Sequence, residues 1–116
     1  MKLKHLALSL ALVVLAATSA LAGKVTVHFF VVPASLSTTQ INAFNDYLVR
    51  TAGGFTASRS FGGALNSAGK DYAPDNLSYT VSAQKDLSRE IGAYIKTQLG
   101  QKDVFLLTWP ANRLDD

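Results

Sequence analysis

Cysteine is absent from this 116-residue chain. That excludes a disulfide, a thiol nucleophile and Cys-ligated zinc. It also excludes the lipid anchor that bacterial export attaches to a cysteine. A small domain working outside the cytoplasm often relies on disulfides, because its core is marginal. This one must hold by packing alone. Histidine is nearly as scarce, with only His5 and His28. A large excess of one charge is missing too. Lys plus Arg number 11 and Asp plus Glu 8. Two of the lysines, Lys2 and Lys4, stand at the extreme N-terminus, ahead of every acidic residue.

That N-terminus reads as an export signal. Lys2 and Lys4 give a positive start, and Leu6 to Ala17 is apolar apart from Ser9. Thr18-Ser19-Ala20-Leu21-Ala22 then offers small residues at the two positions a signal peptidase reads, with Gly23 next. Residues 1–22 are predicted to be removed, leaving a periplasmic or secreted protein of about 94 residues with no membrane attachment. An uncleaved anchor would have to span with Leu6 to Ala22, near the lower length limit. Without the leader, nine basic residues face eight acidic ones, a net of +1. Such a surface lacks the clustered cations that nucleic acid requires.

Residues 23–110 read as one domain, followed by a flexible tail, 111–116. No repeat, low-complexity tract or long linker divides it. Lys24 to Val32 is a strand ended by Pro33. Val25, Val27, Phe29 and Val31 form a wholly apolar face, expected to meet the core. Thr26, His28, Phe30 and Val32 form a mixed face, expected to be partly open.

Ser37-Thr38-Thr39-Gln40 fits a capping box, and Leu36 with Ile41 fits a hydrophobic staple. Ile41, Phe44, Leu48 and Ala52 recur at helical spacing until Gly53-Gly54. Phe55 to Leu65 reads as an edge strand bent at Gly62-Gly63, and Asn66 to Asp75 as loop. Leu77, Tyr79, Val81 and Ala83 alternate with hydroxyl residues in a third strand. A second helix runs from about Lys85 to Leu99, with Leu87, Ile91 and Ile95 on its inner stripe and Gly100 after it. Asp103 to Trp109 is the last strand, ended by Pro110.

The order βαββαβ predicts an α+β, ferredoxin-like sandwich. Two helices would cover one face of a four-stranded antiparallel sheet, with the first and third strands central.

The chain also resembles a family of small exported bacterial proteins catalogued as a domain of unknown function, with a ferredoxin-like core. Phe29-Phe30, Phe44 and Gly54-Phe55-Thr56 carry the likeness. So do the hairpin from Gly62-Gly63 to Gly69, Tyr94, and Gly100-Gln101 followed by Val104. The chain departs from the family in lacking an aromatic mid-hairpin and in having Lys102 where an acidic residue is usual. The resemblance implies fold and location, and no activity.

His28 could serve as a base, a proton switch or a metal ligand. A metal site needs three or four ligands, and no second histidine or cysteine survives cleavage. No metal or cofactor is predicted. The commoner arrangement is a histidine hydrogen-bonded to Ser or Thr on the sheet. Arg59 could grip an anion or guard an edge. No nucleophile elbow, phosphate loop or carboxylate pair occurs, so no catalytic residue is assigned.

The mixed face is the strongest candidate surface. Thr26, His28 and Phe30 would neighbour Ser78, Thr80 and Ser82, with Trp109, Phe105 and Leu107 extending it. Val104 and Leu106 are the alternative outward register. His28, Phe30, Arg59, Ser78, Thr80 and Trp109 are the candidate ligand residues. The leading expectation is an exported, non-enzymatic module that binds a protein or small molecule through this face, or dimerises there. Two alternatives stand beside it. One is a propeptide-like inhibitor or folding helper of an extracellular protease, presenting Ala111 to Leu114 with Arg113 as specificity residue. The other is a small dimeric enzyme using His28 as base.

Overall fold

The structure, a computed structural model, describes residues 23–114; the predicted leader lies outside the described residues. Its elements are β1 (Lys24–Pro33), α1 (Thr38–Ala52), β2 (Thr56–Asn66), β3 (Gly69–Ala83), α2 (Ser88–Thr97) and β4 (Phe105–Asn112). The sheet order is β2-β3-β1-β4, and every neighbouring pair is antiparallel. β1 and β3 are central, as the sequence order requires. Among the described residues no helix is long and apolar enough to cross a membrane.

Local chemistry fixes α1. The Ser37 hydroxyl accepts the Gln40 N–H at 3.1 Å, and the Gln40 side chain accepts the Ser37 N–H at 3.1 Å. At the far end Gly53 adopts φ 92°, a left-handed cap that β-carbon sterics disfavour in other residues, and donates to the Val49 carbonyl at 2.9 Å.

The core lies between sheet and helices. Phe30, Phe44 and Tyr79 are fully buried at its centre. Phe30 stacks on Tyr79 with centroids 5.2 Å apart, and Phe44 meets both rings edgewise at 5.8 and 5.3 Å. Aromatic pairs of this kind add about 0.5–1.5 kcal/mol each beyond the area they bury. The Tyr79 hydroxyl is satisfied by Asn45 Oδ1 at 2.7 Å. Leu48, Leu87, Ile91, Ile95 and Leu99 complete the helix side.

The face assignment of β1 is reversed from expectation. His28, Phe30 and Val32 point into the core, while Val27, Phe29 and Val31 are half-buried on the opposite face; of the four residues expected inside, only Val25 is buried. The cause is register. Directly opposed residues of an antiparallel pair share a face. His28 lies opposite Val81, Phe30 opposite Tyr79 and Val32 opposite Leu77. The alternation of β3 therefore sets the side of β1.

Three boundaries also differ. β3 starts at Gly69, eight residues before Leu77, so most of the expected loop is strand. A register shift between Ser60 and Gly62 accommodates Pro74, which cannot donate to a ladder. α2 starts at Ser88, where groups described below hold the Leu87 and Ser88 amides. β4 continues through Pro110 to Asn112, and the Arg113 N–H donates to the Gly23 carbonyl at 2.5 Å. β4 is an edge strand, where a residue without N–H is tolerated. Ala111 and Asn112 are thus strand, and Arg113 is tied to Gly23, where a loose tail was expected.

Candidate functional site

Helices cover one face of the sheet and leave the other open. On the open face the β1–β4 register sets Val27 opposite Trp109, Phe29 opposite Leu107 and Val31 opposite Phe105. The β1–β3 register sets the same three β1 residues opposite Ser82, Thr80 and Ser78. The surface therefore has two halves. One is apolar, along β1 and β4; the other carries hydroxyls, along β3 and β2. Phe105, Leu107 and Trp109 are 56%, 49% and 44% exposed. Phe105 meets Phe29 edgewise at 6.4 Å. Val104 and Leu106 are half-buried against the core, which decides the register of β4. On the polar half, the Ser60 and Ser78 hydroxyls share a hydrogen bond of 2.6 Å.

His28 is not on this surface. Its side chain is fully buried. Nε2 accepts the Leu87 N–H at 2.8 Å, so Nδ1 carries the proton and donates to the Val81 carbonyl at 3.1 Å. The ring is therefore a neutral, doubly satisfied link between β1, β3 and the start of α2. Its partners are main-chain groups, not the expected Ser or Thr hydroxyls. Asp86 stands 3.5 Å from Nε2. Its carboxylate accepts the Ser88 N–H at 2.8 Å and also the Ser88 hydroxyl. Those two bonds hold Asp86 below the usual carboxylate range. Asp86 and His28 thus occupy the two amides at which α2 was expected already to be under way.

The six sequence candidates separate into two groups. Ser78, Thr80 and Trp109 share the open face. His28 and Phe30 lie in the core, and Arg59 projects from the helix side of β2, opposite Leu77 and exposed. No single cleft joins the six. Among the described residues, no three of His, Cys, Asp and Glu gather to hold a metal.

No family model matches the chain, and no curated protein does. Solved structures do. The GlnK–ATP complex of B. subtilis superposes with a TM-score of 0.55 at 13% identity, over 77% of this chain and 83% of that one. The divalent ion tolerance protein CutA1 from Ehrlichia chaffeensis gives 0.59 at 8% identity, over 79% and 85%. The fold is ferredoxin-like. At such identities fold is all that is shared.

Sequence reasoning missed two parts of the surface. Val27, Phe29 and Val31 were assigned to the core, yet they floor the open face. The β2–β3 hairpin extends past the helices as a two-stranded arm. Phe61 and Leu65 are more than four-fifths exposed on it, and Tyr72 packs across Gly63, where an added β-carbon would stand 3.1 Å from the ring. The alternation through Phe61, Gly63 and Leu65 was the available signal.

Proposed function

We propose that the protein is exported, loses residues 1–22 and acts as a non-enzymatic binding module whose partner meets the open sheet face. The partner proposed first is a second copy. The observation that carries this is the apolar half of the face, with Phe105, Leu107 and Trp109 each about half exposed. Together with the half-buried β1 side chains they present roughly 400 Å² of apolar surface, in the range where a patch on a monomer is often functional. A standard interface buries roughly 800 Å² per partner, so the hydroxyl flank would join the apolar half in the contact. A twofold axis over this face makes one patch meet its own copy. The likeness to small exported bacterial domains of unknown function agrees with this setting.

The other two readings have less support. His28 has both ring nitrogens engaged inside the core, which leaves no lone pair for a substrate proton. Ala111 and Asn112, two of the four residues that would be presented to a protease, are held in the ladder with β1.

Light scattering during gel filtration of the exported protein tests the reading. Twice the monomer mass is expected, falling to the monomer in Trp109→Asp. A monomeric mass up to about 100 μM, well above the Kd of a stable homodimer, would overturn self-association. Cell fractionation with N-terminal sequencing tests export, which predicts Gly23 as first residue.

A further inference from the structure

β4 is an edge strand with one side unpaired: the sheet order ends at it, and no described strand lies beyond. The register shows which of its main-chain groups face outward. Lys24 lies opposite Asn112, which sets Gly23 opposite Arg113, and the Arg113 N–H donates to the Gly23 carbonyl. In an antiparallel pair, residues bonded to the partner strand alternate with residues whose N–H and C=O point away. Leu107 and Trp109 are therefore bonded to β1, while Leu106, Thr108 and Pro110 turn their main-chain groups to the free edge. Pro110 has no N–H to offer, so the usable edge lies at Leu106 and Thr108.

Beside this edge a groove of about 430 Å³ runs between α2 and β4. Its α2 wall is one stripe, Arg89, Gly92, Ala93 and Lys96, spaced i, i+3, i+4 and i+7. The middle of the stripe is small, and a β-carbon on Gly92 would meet nothing within 4 Å. Val104 and Leu106 form the opposite, apolar wall.

The charge is of one sign. Arg89 and Lys96 are the ionisable residues of the groove; both are exposed, and neither has an ion pair among the described residues. Glu90, the acidic residue of α2, acts on Tyr47 on the α1 side. Asp86 is engaged by Ser88. Seven residues apart, Arg89 and Lys96 stand about 10.5 Å from one another along the helix axis.

An added strand matches this spacing. Side chains on one face of an extended chain repeat every ~6.8 Å. A large apolar side chain seated over Gly92 and Ala93 puts the residues two before and two after it about 13.6 Å apart. The long side chains of Arg89 and Lys96 cover the difference, so carboxylates at those two positions meet both cations. The chain's own free edges do not fit. β2 has Arg59 and no carboxylate, and β4 has no ionisable side chain.

We propose that the free edge of β4 and the α2 groove bind an extended acidic peptide of a partner protein, with acidic, apolar and acidic residues at alternate positions. Its main chain pairs with Leu106 and Thr108, and its apolar side chain fills the groove between the two cations. This goes beyond the open-face reading and does not depend on it.

Fluorescence polarisation tests it on the exported protein, with a labelled peptide of about nine residues having Glu, Leu and Glu at alternate positions among Ser and Thr. Saturable binding with a Kd below about 300 μM is expected, with amide shifts at Leu106 and Thr108. The peptide with Gln for both Glu should bind at least about tenfold more weakly, as should one with N-methyl groups on the amides that face β4. Arg89→Gln and Lys96→Gln should each weaken binding about threefold to tenfold. Gly92→Leu fills the groove and should abolish binding with no loss of stability, since leucine favours a helix over glycine. No saturable binding up to about 1 mM would overturn the proposal. So would equal affinity for the Gln peptide or the N-methyl peptide, or undiminished binding in Gly92→Leu. Should Gly92→Leu fail to fold, the two Gln variants decide, and unchanged affinity in both overturns it. The mass measurement reads the open face separately, so the failure of one reading is distinguishable from the failure of the other.

Discussion

His28 accepts the main-chain N–H of Leu87 at 2.8 Å, across 59 residues of sequence. Through its other nitrogen the same ring donates to Val81. One imidazole thereby sets where α2 begins relative to the two central strands. His28→Ala leaves a buried N–H and a buried carbonyl without partners and opens a cavity. The expected cost is about 2–4 kcal/mol in urea unfolding. His28→Gln, which keeps a donor and an acceptor, should lose less. A change under about 0.5 kcal/mol in the alanine variant would contradict this role.

Asp86 gives the acid side of the stability profile a definite sign. Its folded value is lowered, chiefly by the Ser88 hydroxyl and amide. Its contribution is therefore complete above the unfolded value, about 3.9, and is lost as pH falls through the folded one. Asp86→Asn should flatten that limb. The check is the pH titration of the Ser88 amide shift beside urea melts at several acidic pH values.

Tyr79 acts at the other end. Burial raises its hydroxyl above the ordinary tyrosine value. The unfolded chain then ionises first, so this contribution is whole below about pH 10 and disappears as pH rises through the folded value. Tyr47, raised mainly by burial, adds slope in the same direction. Tyr79→Phe should remove part of the alkaline loss, at a cost of about 1 kcal/mol for the bond to Asn45. Unfolding measured on both sides of pH 10 decides it.

Gly53, the residue that caps α1, is one whose replacement should act through the backbone alone. Its φ is 92°, and a β-carbon there would touch nothing. Gly53→Ala should therefore cost about 1–2 kcal/mol from the left-handed conformation itself. An unchanged melting temperature would show that the helix ends another way.

What the sequence made legible was what neighbouring residues decide. Ser37 and Gln40 lie three apart, and Gly53 follows its helix directly, so α1 could be read to its caps. The alternation Leu77, Tyr79, Val81, Ala83 was equally local. The faces of β1 were not, because apolar side chains occupy both and only pairing with β3 chooses between them. Asp71 and Pro74 look like turn formers until the register shift between Ser60 and Gly62 lets the strand run through Pro74 without pairing it. The start of α2 depended on a histidine 59 positions away. The open face suffered most. Its hydroxyls were found, while its hydrophobic floor was assigned to the wrong side of the same strand.

Lys24 lies opposite Asn112, and the bond from Arg113 to Gly23 closes the same end of the ladder. The two ends of the folded domain are therefore neighbours on antiparallel strands. Tension applied between them pulls across the strands, not along them. β4 would peel from β1 one pair at a time, beginning at Arg113, so resistance to traction is small even though the aromatic core is tightly packed. A hold on the Ser67–Ala68 turn and the C-terminus would load several ladders at once and meet far greater resistance.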